Sequence, residues 1–291
     1  MTTIRADGSA RPDRPLAAST SDVPPTGADR VRQGVVLVGA LLAVLGAAWG
    51  SGAFGGTTMP EVAGGAFAPS SSPLTPATGA FSIWSVIYLG LVALAVYQAL
   101  PRQAADPRLR ATSWWVLASL VLNAVWIAVV QAEWLWASVA VLAGLLGVLA
   151  VITVRLVRTP SRSTTQSVLL DATLGLYTGW ASVATLANVV AVLVHERVVD
   201  LPPVGGTATV AAVVVLVAGV ALAWAWAALT RGRPLPAWTI AAAMAWGFAW
   251  IAVARTTTEL TSTPLAVVAG AAAVLTLAAP LVVPRRSVVP R

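Results

Sequence analysis

Cysteine and lysine are both absent from the 291-residue sequence, and histidine occurs once. Without cysteine the chain has no disulfide, no thiolate metal site and no thiol nucleophile. The one histidine, His195, has no second metal ligand at a suitable spacing. Charged residues make up only 10% of the chain. That is too little polar material to cover the surface of a soluble protein of this length.

Apolar residues make up 58% of the chain, and the mean hydropathy is +0.82. Each apolar segment supplies the roughly 20 residues that a hydrocarbon core of about 30 Å requires. The sequence therefore predicts an all-α integral membrane protein with about eight transmembrane helices. Only Gln131, Ala132 and Glu133 separate the third and fourth segments, which predicts a tight hairpin there. The segments are 34–54, 80–100, 113–131, 134–154, 167–194, 207–230, 236–255 and 264–283.

The arginines predict the orientation of these helices. Of the 18 basic residues, all except Arg197 and Arg255 lie in the N-terminal tail, in alternate connections or at the C-terminus. Cytoplasmic loops carry the excess of positive charge, so we expect both termini to be cytoplasmic. This distribution also explains the net charge of +7 without a nucleic-acid partner.

Two polar segments frame the first helix. Residues 1–33 are rich in Pro, Ser, Thr, Asp and Arg, which predicts a disordered cytoplasmic tail. The connection over residues 55–79 is long, rich in Gly, Pro, Ser and Thr, and free of basic residues. Loops of this length are uncommon unless they are functional or disordered. A lid over an outward-facing pocket and a flexible tether both remain open at this point.

An aromatic stripe opens the second helix, in the stretch GAFSIWSVIYLGLVALAVYQ, where Phe81, Trp84 and Tyr88 recur at helical spacing. The chain has 13 tryptophans, and those near the predicted ends of helices are explained by the membrane interface. Most of the others are expected near the middle or in the outer half of the bilayer, where they could share a layer. These are Trp49, Trp84, Trp126, Trp180, Trp246 and Trp250.

Two asparagines lie within predicted spans, each on one helix face with a tryptophan. Asn123 precedes Trp126 by three residues, and Asn188 follows Trp180 by eight. An amide in hydrocarbon needs hydrogen-bond partners on neighbouring helices. One interpretation is structural, with each amide bonding across helices. The other is that both amides surround a single cavity together with Trp84, Tyr88, Trp126 and Trp180.

Asp171 is the acidic residue expected within a span, near the cytoplasmic end of the fifth helix. It could couple the transport of a small molecule to protons. It could equally be a wetted residue at the start of a helix, stabilised by the helix dipole. We find no paired metal ligands, no nucleophile with a base and no phosphate loop, so we expect no enzyme and no metal site.

The stripe and the asparagines together resemble a known family. FSIWSVIY followed by VYQ, then LVLNAVW, then LYTGWASVATLANVV are similar to the TspO/MBR family of tryptophan-rich sensory proteins, over residues 34–196. The resemblance implies a five-helix bundle that binds a porphyrin, heme precursor or sterol under its first long loop. It also implies a set of residues that line or brace the pocket. These are Trp84, Tyr88, Asn123, Trp126, Trp180, Ala184 and Asn188.

The chain departs from that family in two places. The family usually shows Pro-x-Gly-Trp-x-Phe-Gly-Pro-x-Trp before its second helix, and residues 79–84 lack the first Trp and the second Pro. Three additional helices over residues 197–284, followed by a cytoplasmic tail over 285–291, suggest an extended form.

From the sequence we therefore expect a receptor or sensor for a hydrophobic or planar molecule, in a bacterial plasma membrane. No cofactor is expected beyond that ligand. The expected partners are the lipid bilayer and the ligand, and the chain could form a homodimer. A secondary transporter and a structural membrane protein are the alternatives.

Overall fold

Eight long helices make up the computed structural model, which describes residues 24–50, 55, 57–198 and 206–283. Each of the eight is long and apolar enough to cross a membrane, and they correspond one for one to the predicted spans. The prediction of an all-α membrane protein is therefore confirmed. The helices are α1 Gly27–Gly50, α2 Thr78–Ala99, α3 Pro107–Gln131, α4 Leu135–Arg158, α5 Thr164–His195, α6 Gly206–Leu229, α7 Pro234–Thr257 and α8 Thr263–Val282.

The predicted hairpin between α3 and α4 is confirmed. Glu133 adopts a left-handed conformation with φ of 61°. Its backbone N–H donates to the carbonyl of Val130 at 2.9 Å, and the N–H of Trp134 donates to that of Val129 at 2.9 Å. These two bonds satisfy carbonyls at the end of α3 and reverse the chain within a few residues.

Several helices begin earlier than hydropathy predicts, and α1 shows why. It begins at Gly27 and not at residue 34, because Thr26 and Asp29 cap each other. The Thr26 hydroxyl donates to the Asp29 carboxylate at 2.8 Å, and the Asp29 N–H donates back at 3.3 Å. Residues 27–33 are thus helical where a tail was predicted. Residues 1–23 and 284–291 lie outside the described part of the chain.

Helix α5 contains a π-helical turn at Ser167–Ala172. Asp171 lies in this turn, is only 5% exposed, and forms a bidentate ion pair with Arg108 of α3. The Ser167 hydroxyl donates to the same carboxylate at 3.1 Å. The expectation of a wetted residue at the helix start is therefore wrong, because the opposing guanidinium allows the carboxylate to be buried.

Helix α5 lies at the centre of the molecule and packs against α2, α4, α6 and α7. Its contact with α7 is close, because a Cβ at Gly179 would overlap the backbone of Ile240 and one at Gly175 would overlap Thr239. On the α7 side, a Cβ at Gly247 would press against Val183. Small residues that let two backbones approach are typical of helix packing in membranes. The three additional helices are thus joined tightly to the first five.

Residues 57–77 cover the end of the bundle at which α1 ends and α2 begins, here called the loop face. The opposite end, where α1 begins, is the N-terminal face. Because the chain crosses the bundle eight times, α8 ends at the N-terminal face as well.

Candidate ligand pocket

The loop over residues 57–77 is a packed structure. Its own apolar side chains Met59, Phe67 and Leu74 are buried. The Ser71 hydroxyl donates to the carbonyl of Ala66 at 2.7 Å, and the Ser72 hydroxyl lies 2.8 Å from that of Thr75. The loop thus covers the bundle, as the lid interpretation predicts, and the flexible-tether alternative does not describe it.

A capped turn fixes the start of this loop. The hydroxyl and the backbone N–H of Thr58 both donate to the carboxylate of Glu61, at 2.8 and 3.1 Å. These bonds lower the pKa of Glu61. The ionised carboxylate therefore stabilises the turn above the ordinary pKa of glutamate, and the contribution is lost as pH falls through the lowered value.

Two adjoining cavities lie under the loop, and Met59, Phe81 and Trp126 line both. The larger has a volume of about 270 Å³ and the smaller about 40 Å³. No charged side chain lines either cavity. The other residues of the larger cavity are Thr58, Pro60, Thr78, Trp84, Tyr88 and Ile127. The smaller adds Phe67, Thr75, Pro76, Trp180, Val183, Ala184, Ala187, Asn188 and Ala191.

The aromatic stripe of α2 faces α5 and the larger cavity. Trp84 and Tyr88 stack with ring centroids 5.0 Å apart and planes at 19°. The ring of Trp84 also meets Trp180 edge-on at 6.3 Å and Tyr177 at 5.7 Å. Phe81 approaches Trp180 in the same way at 5.8 Å. Such edge-to-face and offset arrangements are the favourable ones for aromatic rings, so the cluster is a rigid wall.

Asn188 joins three helices beside the smaller cavity. Its Oδ1 accepts from the indole N–H of Trp126 on α3 at 3.3 Å. Its Nδ2 donates to the hydroxyl of Ser138 on α4 at 3.0 Å. Both ends of the amide are therefore bonded to neighbouring helices. This agrees with the structural interpretation, in which the amide bonds across helices.

Asn123 lies behind the pocket wall. Its Nδ2 donates to the hydroxyl of Tyr88 at 2.8 Å, which fixes the position of the ring that lines the larger cavity. Its Oδ1 accepts no hydrogen bond from the described residues, and the indole N–H of Trp180 likewise has no acceptor there. Both atoms are buried, and buried polar groups are normally paired. Trp180 lines the smaller cavity, whereas Asn123 lines neither.

The structure thus places six of the seven predicted site residues around the two cavities, with Asn123 behind Tyr88. Among the other tryptophans expected in the same layer, Trp49 is 73% exposed and lines neither cavity. Trp226, which we assigned to the interface, is buried and donates to the Ser182 hydroxyl at 3.1 Å.

Sequence reasoning missed Tyr177 and the loop residues of the pocket. Tyr177 is fully buried, and its hydroxyl donates to the carbonyl of Ser119 at 3.1 Å. Its position three residues before Trp180 was the available signal, because that spacing puts both rings on one face of α5. Met59 and Phe67 stand out as large apolar residues in an otherwise small and polar loop.

Trp246 and Trp250 of α7 contact the start of α2, outside the cavities. The indole N–H of Trp246 donates to the carbonyl of Ala80 at 2.9 Å. The carbonyl of Trp250 accepts from the N–H of Ala77 at 3.1 Å. A Cβ at Gly79 would overlap the ring of Trp250, so only glycine allows this approach. The additional helices therefore touch the chain where the loop meets α2.

In the described part of the chain, no group of His, Cys, Asp or Glu is arranged to hold a metal ion. The fold and pocket define an all-α, multi-pass membrane protein with an aromatic, uncharged pocket under a loop. The family described as TSPO-like protein matches residues 34–282, and the chain belongs to that family. The match extends from α1 into α8 and so includes the three additional helices. No curated protein and no solved structure matches the chain significantly.

Proposed function

We propose that this protein is a receptor or sensor that binds a planar, apolar small molecule, such as a tetrapyrrole or a sterol, in the pocket under the loop. The carrying observation is the aromatic wall of Trp84, Tyr88 and Trp180 around an uncharged cavity. Stacking and apolar burial stabilise a flat ligand on such a wall, while a few polar groups fix its orientation. The unpaired indole N–H of Trp180, which lines the smaller cavity, supplies one such group.

The size of the cavity bears on how such a ligand enters. At about 270 Å³ the larger cavity lies just below the range of roughly 300 to 1,000 Å³ typical of small-molecule sites. A tetrapyrrole therefore requires Met59 and Pro60 of the loop to move outward. A small flat ligand requires less movement.

The test makes the same Trp→Leu substitution at two positions, so that both variants change hydrophobicity equally. Trp84→Leu keeps α2 apolar, and we expect it to weaken binding at least tenfold, or about 1.4 kcal/mol. Trp136→Leu is the control, because Trp136 is exposed near the loop face and lines neither cavity. Binding is measured by tryptophan-fluorescence titration with protoporphyrin IX and cholesterol. Equal effects of the two substitutions, or none from either, would place the ligand elsewhere.

The transporter alternative rests on Asp171. Its ion pair with Arg108 and its bond from Ser167 support a structural role, because they join α3 to the π-helical turn of α5. Saturable binding without flux across proteoliposomes would support the receptor. Ligand flux that depends on pH and on Asp171 would support the transporter, and the absence of any tryptophan quenching would support a structural protein.

We further propose that the protein lies in a bacterial plasma membrane with both termini in the cytoplasm, because nearly all arginines would then be on the cytoplasmic side. The loop would then face the outside, and the ligand would arrive from the periplasmic side or from the outer leaflet.

A further inference from the structure

Arg255 is a buried cation near the end of α7, on the loop face, with 1% of its surface exposed. Its Nη1 donates to the carbonyl of Ser72 at 2.9 Å, and its Nη2 donates to that of Pro69. No carboxylate of the described residues lies within ion-pair distance of it. The guanidinium is therefore held by the loop backbone.

Burying a guanidinium at this position costs free energy, so its presence indicates a specific role. Ionisable residues within membrane-spanning helices are rare and are usually functional. The planar guanidinium offers donors in a fixed fork, and it can hold two carbonyls at once in a defined geometry. An apolar side chain could fill the same space but could not fix the backbone of the loop. Arg255 thus fixes residues 69–72 to α7.

A second set of contacts fixes the other end of the same segment. Ala77 donates its N–H to the carbonyl of Trp250, and Trp246 donates its indole N–H to that of Ala80. Trp246, Trp250 and Arg255 follow one another along α7. One helix therefore holds the loop both before residue 73 and after residue 76.

The residues between these two attachments close the pocket. Thr75 and Pro76 line the smaller cavity together with Trp180 and Asn188. Between the attachments the segment forms a turn, in which the N–H of Thr75 donates to the carbonyl of Ser72 at 3.3 Å and the two hydroxyls lie 2.8 Å apart. This turn is local to residues 72–75, whereas the bonds at Pro69, Ser72 and Ala77 join both of its ends to α7.

We propose that α7 is a clasp for the ligand pocket, in which Arg255 positions residues 69–80 over the cavity and ligand exchange requires its bonds to the loop to break. This inference rests on the proposed function, because it assigns the additional helices a role in retaining the same ligand. Arg255 touches no part of either cavity, so it is a positioning residue.

The experiment uses the full-length protein in detergent with the substitution Ser72→Cys, which gives a single reactive thiol because the chain has no cysteine of its own. Ser72 is 1% exposed, so its modification by a water-soluble maleimide reports opening of the loop. We expect Arg255→Met, which keeps the length of the side chain, to raise the labelling rate at least tenfold. Arg197→Met, at an exposed arginine on the same face, should leave the rate unchanged.

The second readout is the rate at which protoporphyrin IX dissociates, followed by recovery of tryptophan fluorescence. We expect Arg255→Met to raise it at least fivefold, and Arg255→Lys to restore it only in part because an ammonium lacks the planar fork. Trp246→Phe removes the bond to Ala80 at the other attachment, should act in the same direction, and decides the test if Arg255→Met does not fold.

Unchanged labelling in both Arg255→Met and Trp246→Phe would overturn the clasp. Full rescue of both rates by Arg255→Lys would also overturn the role of the fork. If the unaltered protein binds no porphyrin and no sterol, the proposed function fails, whereas labelling of residue 72 still decides whether α7 holds the loop closed.

Discussion

The two buried asparagines differ in how far the protein satisfies them. Asn188 bonds through both ends of its amide to α3 and α4. Asn123 uses only its NH₂ group, on the hydroxyl of Tyr88, and leaves its oxygen unpaired. A satisfied amide fixes helix packing, whereas the unpaired oxygen of Asn123 lies behind the ring of Tyr88 and lines neither cavity. The sequence predicts that both amides need partners on neighbouring helices, and it could not show which of the two the protein satisfies.

Asn188→Leu should therefore destabilise the protein by about 1 kcal/mol, near the range measured for polar bonds between helices in membranes. The substitution leaves the indole N–H of Trp126 without its acceptor. Thr185→Val is the matched control, because the Thr185 hydroxyl donates only to the carbonyl of Ala181 in its own helix. Unfolding in mixed detergent micelles measures both variants. A more stable Asn188→Leu that binds ligand normally would show that the amide is merely tolerated.

The aromatic part of the site could be predicted because helical spacing is visible in the sequence. Trp84, Tyr88, Trp126 and Trp180 each share a face with another candidate, and helix periodicity is independent of tertiary context. The loop contribution could not be predicted, because Met59 and Phe67 lie in a segment without a period. The sequence also gives the depth of Trp49 in the bilayer but not the direction of its ring, which is exposed.

At the scale of the elements, the π-helical turn of α5 and the start of α3 form one structure near the N-terminal face. Asp171 and Arg108 form a buried pair across the two helices. Arg108 also donates to the carbonyl of Leu156 at the end of α4. This single contact therefore fixes three helices.

We expect Asp171→Asn to cost about 3 to 5 kcal/mol, because it leaves the guanidinium of Arg108 buried without a counter-charge. The double variant Arg108→Met with Asp171→Leu should recover most of that loss, since neither charge then remains to be solvated. Glu133→Gln in the exposed hairpin is the control. Thermal unfolding in detergent provides the measurement, and a stable Asp171→Asn single variant would contradict the structural role of the pair.

The boundaries of the elements show what hydropathy measures. It located the part of each helix that is apolar enough for hydrocarbon, and those parts agree with the structure. It missed the extensions at Gly27 and Pro107, which depend on capping by Thr26 with Asp29 and by Asp106. Caps act through a few hydrogen bonds and leave no mark on the average hydropathy.

At the scale of the whole molecule, the eight helices put both ends of the described chain on one face. If the arginines orient the chain, tags at both termini will be cytoplasmic and one inserted at Ser71 will be external. Protease protection in inverted vesicles and in spheroplasts distinguishes the two sides. A cytoplasmic tag at Ser71 would reverse the orientation and place the loop and pocket on the cytoplasmic side.

The sequence did not predict how the three additional helices pack against the first five. Their number and lengths followed from hydropathy, but contact between α5 and α7 depends on Gly175, Gly179 and Gly247. Glycine is common in membrane helices, and only the facing backbones show which ones lie in an interface.

The close approach of α5 and α7 has a consequence for how the chain can be divided. In a bilayer, preformed helices associate through the fit of their surfaces, so a peptide bond between them is not required. Two polypeptides, residues 1–200 and 201–291, made together in one cell should find each other and purify as a complex. Gly179→Leu in the first polypeptide should abolish copurification, whereas Gly147→Leu, where a Cβ meets open space, should not.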